Sequence, residues 1–309
     1  MILSVSRRTD IPACYFDWFL NRLREGYALV RNPVNPRQVS RVELSPQAVD
    51  AIVFWTKNPS PMLDRLHLLE PYPYYIQFTI NPYGRDMETG LPDKAELVQT
   101  FRRLARSIGP ERLVWRFSPV LINEKYSADY LIRAFRSLAA GLEKYTERCN
   151  LSFLDLYAKI KNPMAALGVS DPPDDLKRRL AESFSEAAGN HGISIGLCGH
   201  PDPAALGLKP AACIDRRLIE HLIGQETNLK KDQGQRPECY CAQSLDIGAY
   251  DTCTNGCLYC YANRSQSVAR RKFQRHDPLS PLLFGILTPQ DVVSARPMKS
   301  CRIEKNLLF

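Results

Sequence analysis

The sequence predicts an α/β fold, a TIM-like (β/α) barrel, complete or partial, and three observations carry that expectation. Short β-prone apolar runs alternate with amphipathic helices along most of the 309 residues. Such alternation gives parallel strands joined by helical crossovers. Polar residues collect just after the strands, where barrels carry their working groups. Six or more such units in one chain favour a barrel over an open sheet, and the length is ample for a sizeable core.

The elements follow in order. Ile2 to Ser6 is short and β-prone, and Arg7 to Pro12 is a polar turn. A helix follows with Phe16, Phe19, Leu20 and Leu23 on one face. Tyr27 to Arg31 and Val39 to Leu44 form an extended pair about the proline-rich turn Asn32 to Pro36. Asp50 to Trp55 reads as a buried strand ending in Thr56-Lys57-Asn58, and Tyr75 to Ile80 as another ending in Asn81-Pro82. Asp93 caps the next helix, Glu96 completes a capping box, and Leu97, Phe101, Leu104 and Ile108 repeat at 4, 3, 4.

Leu113 to Phe117 is a strand. Ser127 caps a helix with Leu131, Phe135, Leu138 and Leu142 at the same spacing. Asn150 to Asp155 is a strand leading to Tyr157 and Lys159. A helix from Asp174 to Ala188 takes Gly189 as its C-cap, and Gly192 to Cys198 is the next strand. Ile214 to Gly224 is a short helix, residues 230–237 a polar connection, and Ser244 to Tyr250 one more strand. Ser265 to Gln274 is helical, and Ser280 to Leu287 is apolar enough to dock on the body. Residues 1–286 are expected to form one barrel domain that includes a cysteine-rich region, 236–265. Residues 287–309, with Cys301, are expected to form an exposed tail or a partner-dependent segment.

Composition narrows the class. Hydrophobic residues make up 44% and charged residues 24%, a globular balance. No apolar run approaches the length needed to cross a bilayer. The first residues, through Arg7-Arg8, are too short an apolar stretch for a secretory signal. A cytoplasmic protein without a membrane partner is expected. The net charge is +8, and the stretch from Arg264 onward holds nine Lys/Arg against three Asp/Glu. That basic end is either a footprint for nucleic acid or an acidic partner, or a solubilising surface.

Five of the ten cysteines lie between Cys239 and Cys260. Without a secretory signal, such crowding points to metal rather than to disulfides. Cys253, Cys257 and Cys260 are spaced C-x3-C-x2-C, with the aromatic Tyr259 just before the last. Three thiolates can each take one iron of a [4Fe–4S] cube and leave the fourth iron without a protein ligand. An open metal position is where a cofactor or substrate binds.

This C-x3-C-x-aromatic-C pattern resembles the signature of the radical S-adenosylmethionine (radical SAM) enzymes. In those enzymes the cluster loop follows the first strand; here the strand and loop come last, which resembles a circularly permuted radical SAM barrel. The chain also resembles a bacterial and archaeal family known as domain of unknown function number 1848. That resemblance rests on Ser6–Pro12, Phe54–Pro59 and Asp246–Asn263. The radical SAM resemblance implies that Cys253, Cys257 and Cys260 hold the cluster and that its fourth iron chelates S-adenosylmethionine. It further implies that Tyr259 lies near the adenine and that a 5′-deoxyadenosyl radical abstracts hydrogen from a substrate the sequence does not name. A reductase such as flavodoxin or ferredoxin would supply the electron. The glycine-rich segment that seats the cofactor's amino group in many such enzymes is absent. The competing reading is a zinc- or Fe–S-stabilised protein that binds nucleic acid or transfers electrons.

Other residues carry two readings each. Cys239 and Cys241, with Cys213 and Cys198, can form a second four-thiolate site, an auxiliary Fe–S cluster or a structural zinc. Alternatively, Cys198 and Cys213 are small buried hydrophobes. Arg7, Arg8, Thr9 and Asp10 suit a carboxylate, phosphate or ribose of the cofactor, or else form a surface salt-bridge turn. Lys57 and Arg116, at strand ends, read the same way. Cys14 is either a hydrogen-atom donor or a helix-core residue. The five histidines show no ligand spacing.

Overall fold

The apolar runs pair into one sheet of eight parallel strands in a computed structural model that describes residues 1–303. Residues 304–309 of the expected tail, including Lys305 and Phe309, lie outside the described residues. In chain order the elements are β1 (Ile2–Val5), α1 (Ile11–Cys14), α2 (Phe16–Glu25), β2 (Tyr27–Arg31), β3 (Gln38–Glu43), β4 (Ala51–Thr56), β5 (Tyr74–Thr79), α3 (Lys94–Ile108), β6 (Leu113–Val120) and α4 (Ala128–Leu142). There follow β7 (Arg148–Phe153), α5 (Ala158–Ala166), α6 (Asp174–Gly189), β8 (Ser194–Leu197), β9 (Lys209–Pro210), α7 (Arg216–Ile223), β10 (Leu245–Asp246), α8 (Gln266–Gln274) and β11 (Val292–Ala295). The sheet order is β10-β1-β4-β5-β6-β7-β8-β9. No ladder joins β9 to β10 among the described residues, so as hydrogen-bonded the sheet is open.

Both faces of this sheet are covered, and the period of two decides which residue faces where. Leu3, Ile52, Phe54, Ile76, Phe78, Trp115 and Leu151 face the helical layer. There Trp115 stacks on Phe135 at 4.7 Å, and Phe117 meets Phe184 edge-on at 5.4 Å. The 4, 3, 4 stripes of α3 and α4 are buried there, as the sequence predicts. On the opposite, inner face lie Ile2, Ala51, Val53, Trp55, Tyr75 and Val114, packed against Cys213, Ile214, Leu218 and Ile219. The chain after β9 crosses this face, where the Tyr75 hydroxyl and the Gln77 amide donate to the Cys213 carbonyl at 2.6 and 3.0 Å.

Several local expectations are corrected. The strand expected over Ser244 to Tyr250 pairs only at Leu245–Asp246. Beyond it the chain bends under the Asp246 carboxylate, which accepts from the Gly248 N–H at 2.9 Å. Asp93 stands at the N-cap of α3 but makes no side-chain cap bond, so the capping box does not form. Gly189 is the last helical residue of α6, and the left-handed turn falls at Gly192. Residues Ser60–Leu69 form 3-10 turns where no element is expected.

Of the segment expected as an exposed tail, the described residues 287–303 are mostly exposed but are tied to the body at two places. β11 pairs parallel with β3, extending the small β3–β2 sheet. Cys301 is buried, and its N–H and the Ser300 hydroxyl both donate to Asp50 at 2.8 Å. Leu282 and Leu283 are buried as expected, whereas Ile286 and Leu287 are exposed. No helix among the described residues is long and apolar enough to cross a membrane.

Candidate functional site

A cavity of about 500 Å³ opens at the C-terminal ends of the central strands. It gathers seven of the ten cysteines: the triplet Cys253, Cys257 and Cys260 on one side, and Cys198, Cys213, Cys239 and Cys241 on the other. Arg7, Arg8, Thr9, Asp10, Lys57, Arg116 and Tyr259 line it too. Every residue singled out from the sequence as a ligand or cofactor contact thus faces one space. Asn58, Asn81 and Lys159, also at strand ends, do not line it.

The triplet sits on a loop fastened at several points. Asp251 accepts from the Arg264 guanidinium at 2.8 Å, and the Asn263 amide donates to the Cys253 carbonyl at 2.6 Å. The Leu258 N–H reaches the Met87 carbonyl, and the Gly90 N–H reaches that of Asn255. Gly256 has φ +71°, and a Cβ there would lie 2.1 Å from the Thr89 hydroxyl, so the turn requires glycine.

The two ends of the sequence meet here. Asp10 Oδ2 accepts from the Asn255 amide and from the Lys57 N–H, both at 2.7 Å, while Oδ1 caps α1 through the Ala13 N–H at 3.0 Å. Asp246 accepts from the hydroxyls of Ser4 and Ser6 and from the Arg7 N–H, at 2.6 to 2.7 Å. The Tyr261 hydroxyl donates to the Arg7 carbonyl at 2.6 Å. Asp10 is therefore committed to holding loops together. Burial pushes its carboxyl above the usual range, against the donors just named, which lower it.

Sequence reasoning missed Glu88. It is 1% exposed and accepts from Lys57 Nζ at 2.7 Å, from Lys94 and from the Tyr259 hydroxyl. Lys57 Nζ also donates to the Tyr259 hydroxyl at 2.9 Å, and the Asn81 amide reaches the same oxygen at 3.1 Å. Burial pushes Glu88 up, but the Lys57 and Lys94 ammoniums outweigh it and hold the carboxyl below its ordinary value. Lys57 is raised in return: Glu88 overcomes the effect of its own burial. Nothing in the local sequence marks Glu88, because it lies in a loop beyond a strand and its partners come from distant segments.

The donors suit a thiophilic metal held on one wall. Burial pushes the Cys257 thiol up to about 12, with Lys57 pulling the other way. Such a thiol keeps its proton until a metal displaces it. As the side chains stand, no three Cys, His, Asp or Glu among the described residues converge on a single ion. Two buried polar atoms facing the cavity lack partners, Thr9 Oγ1 and Arg116 Nε. Arg116 bonds only to the hydroxyls of Thr79 and Ser118, at 3.4 and 3.2 Å, with no carboxylate. By contrast, Arg7 pairs with Asp232 at 3.3 Å and packs over Trp55, and Arg8 lies 3.9 Å from Asp246 and over the Tyr250 ring. Cys14 ends α1 half-buried, its sulfur 3.3 Å from the Thr254 hydroxyl, beside the cysteine loop rather than in the helix core.

No curated protein and no solved structure matches this chain. A family model described as Domain of unknown function (DUF1848) matches residues 2–262, a span that includes the whole cysteine triplet. The chain, matched over most of its length, belongs to the DUF1848 family.

Proposed function

We propose that the protein is a radical SAM-type enzyme, in which Cys253, Cys257 and Cys260 hold a [4Fe–4S] cluster and S-adenosylmethionine binds at the iron they leave open. The observation that carries this reading is the triplet's setting: three thiols on a tightly fastened loop, facing a cavity at the C-terminal ends of parallel strands. Strand order supports it as well. β10, last of the eight in sequence, is first in space, beside β1, as a circularly permuted, partial radical SAM barrel would have it. Held by Cys253, Cys257 and Cys260 and reduced by one electron, the cluster would supply reductive cleavage of the bound S-adenosylmethionine for hydrogen-atom abstraction from the substrate.

The chain's own residues supply positioning and exclusion of water. Arg116 offers a guanidinium without a carboxylate partner for an anionic group of cofactor or substrate. Thr9 Oγ1, buried beside the cavity, has hydrogen-bonding capacity left unspent. The Lys57–Glu88–Tyr259 network holds the aromatic residue of the loop in one orientation. A flavodoxin- or ferredoxin-like reductase would supply the electron.

The test is anaerobic purification, reconstitution with iron and sulfide, then dithionite and S-adenosylmethionine. 5′-Deoxyadenosine is expected, and Cys257→Ala should abolish it. Zinc as the only bound metal, with no 5′-deoxyadenosine, would instead favour a zinc-stabilised binding protein and overturn the proposal.

A further inference from the structure

We propose that Cys198, Cys213, Cys239 and Cys241 form a second, four-thiolate centre for a thiophilic metal, zinc or an iron–sulfur cluster, in the cavity that the triplet also lines. The four come from three separate segments. Cys198 ends the β8 segment, its N–H on the Leu151 carbonyl at 2.7 Å. Cys213 follows β9 and is pinned through its carbonyl by Tyr75 and Gln77 on the inner face. Cys239 and Cys241 lie on the connection before β10, with the Asp232 N–H on the Cys241 carbonyl at 2.9 Å and the Ala242 N–H on the Ile214 carbonyl at 3.0 Å. All four are free thiols, and the Cys198 and Cys213 sulfurs stand 3.9 Å apart.

Two further observations point to thiolates on metal rather than to packed thiols. The Ile214 N–H donates to Cys241 Sγ at 3.4 Å, the kind of bond that orients and stabilises a ligating sulfur. Arg116, on the same wall, has a buried Nε without a partner and no carboxylate within reach. A half-buried guanidinium without a counter-charge still carries part of that desolvation cost. Four neutral thiols do not balance it. Four thiolates on zinc(II), or on an oxidised [4Fe–4S] cube, carry net negative charge and do. A zinc tetrahedron with bonds near 2.3 Å has edges of about 3.8 Å, close to the Cys198–Cys213 spacing. As the side chains stand no three donors converge on one ion, so binding requires the Cys239–Cys241 turn to close on the other pair for zinc, or all four sulfurs to spread for a cube.

Metal analysis decides this separately from the radical SAM reading. With a cube there the reconstituted wild-type protein should carry about eight irons per chain, and with zinc about four irons and one zinc, rather than about four irons alone. The Cys253→Ala/Cys257→Ala/Cys260→Ala variant should keep about four, with an electron paramagnetic resonance signal indifferent to S-adenosylmethionine. The Cys239→Ala/Cys241→Ala variant should keep about four whose signal responds to it. One zinc per chain, retained in the first variant and lost in the second, would keep the four-thiolate site and put an ion in place of the cube. About four irons in the wild type, with none and no zinc in the folded triple variant, would overturn the proposal. A Cys198–Cys213 disulfide in the protein as purified without oxygen would overturn it equally. Iron retained by the second set but none by the triplet would instead overturn the radical SAM reading and leave this one standing.

Discussion

Glu88 lies between two ammonium groups and a phenol with 1% of its surface exposed, and its whole hydrogen-bonding capacity is spent on the wall that carries Tyr259. Removing one partner of a buried ion pair leaves the other uncompensated. Glu88→Gln should therefore lower unfolding free energy by about 3 kcal/mol, read from urea denaturation at pH 7. The pH dependence has a definite sign. The carboxyl is held below its ordinary value of 4.5, so its contribution is complete above that pH and fades as pH falls below it, through the folded-state value. The wild type should lose stability on that descent more steeply than Glu88→Gln. Arg116 makes the opposite case. Its guanidinium has no carboxylate partner, so Arg116→Ala in the metal-free protein should leave the denaturation midpoint unchanged or raise it. In the reconstituted protein the same change should cut 5′-deoxyadenosine formation at least about ten-fold, the scale of one lost charge-assisted contact.

The cysteine loop is the element that depends most on others. Its turn at Gly256 needs a positive φ and has no room for a side chain. Gly256→Ala should cost about 2 kcal/mol and lower iron retention, measured as irons per chain after desalting. Asp10 joins α1, the turn after β4 and the loop at Asn255. Asp10→Ala removes a helix cap and leaves buried donors unpaired, so a loss of about 3 kcal/mol is expected in thermal or urea unfolding. The spacing of the three cysteines and the aromatic beside the last were legible in the sequence. That Tyr259 turns its hydroxyl to Glu88 and Lys57 was not, because Glu88 sits in a loop with no periodicity to mark which way it points.

At the scale of the whole molecule, the open ends of the sheet are narrow, two residues each at β9 and β10, and the inner face between them is filled by the chain from Cys213 to Ile219. Residues 287–303 are anchored to this body: β11 extends the small sheet, and Ser300 and Cys301 satisfy Asp50. Deleting residues 287–309 should leave Asp50 short of partners and lower stability by about 2 kcal/mol, seen as a fall in Tm. The sequence by itself determined the alternation of the main strands and helices, the amphipathic faces of α3 and α4 and the metal-like spacing of Cys253, Cys257 and Cys260. Each of these is a local property, written within a single stretch through periodicity or ligand spacing. It did not mark β11, since a four-residue exposed strand has no alternation of its own and exists only through β3. Only the tertiary structure decided that Asp10 holds Asn255 across 245 positions, and that Cys198 and Cys213 pack with Cys239 and Cys241 in one cluster. Which strands become neighbours depends on how all the faces are buried at once, and no single stretch of residues carries that information.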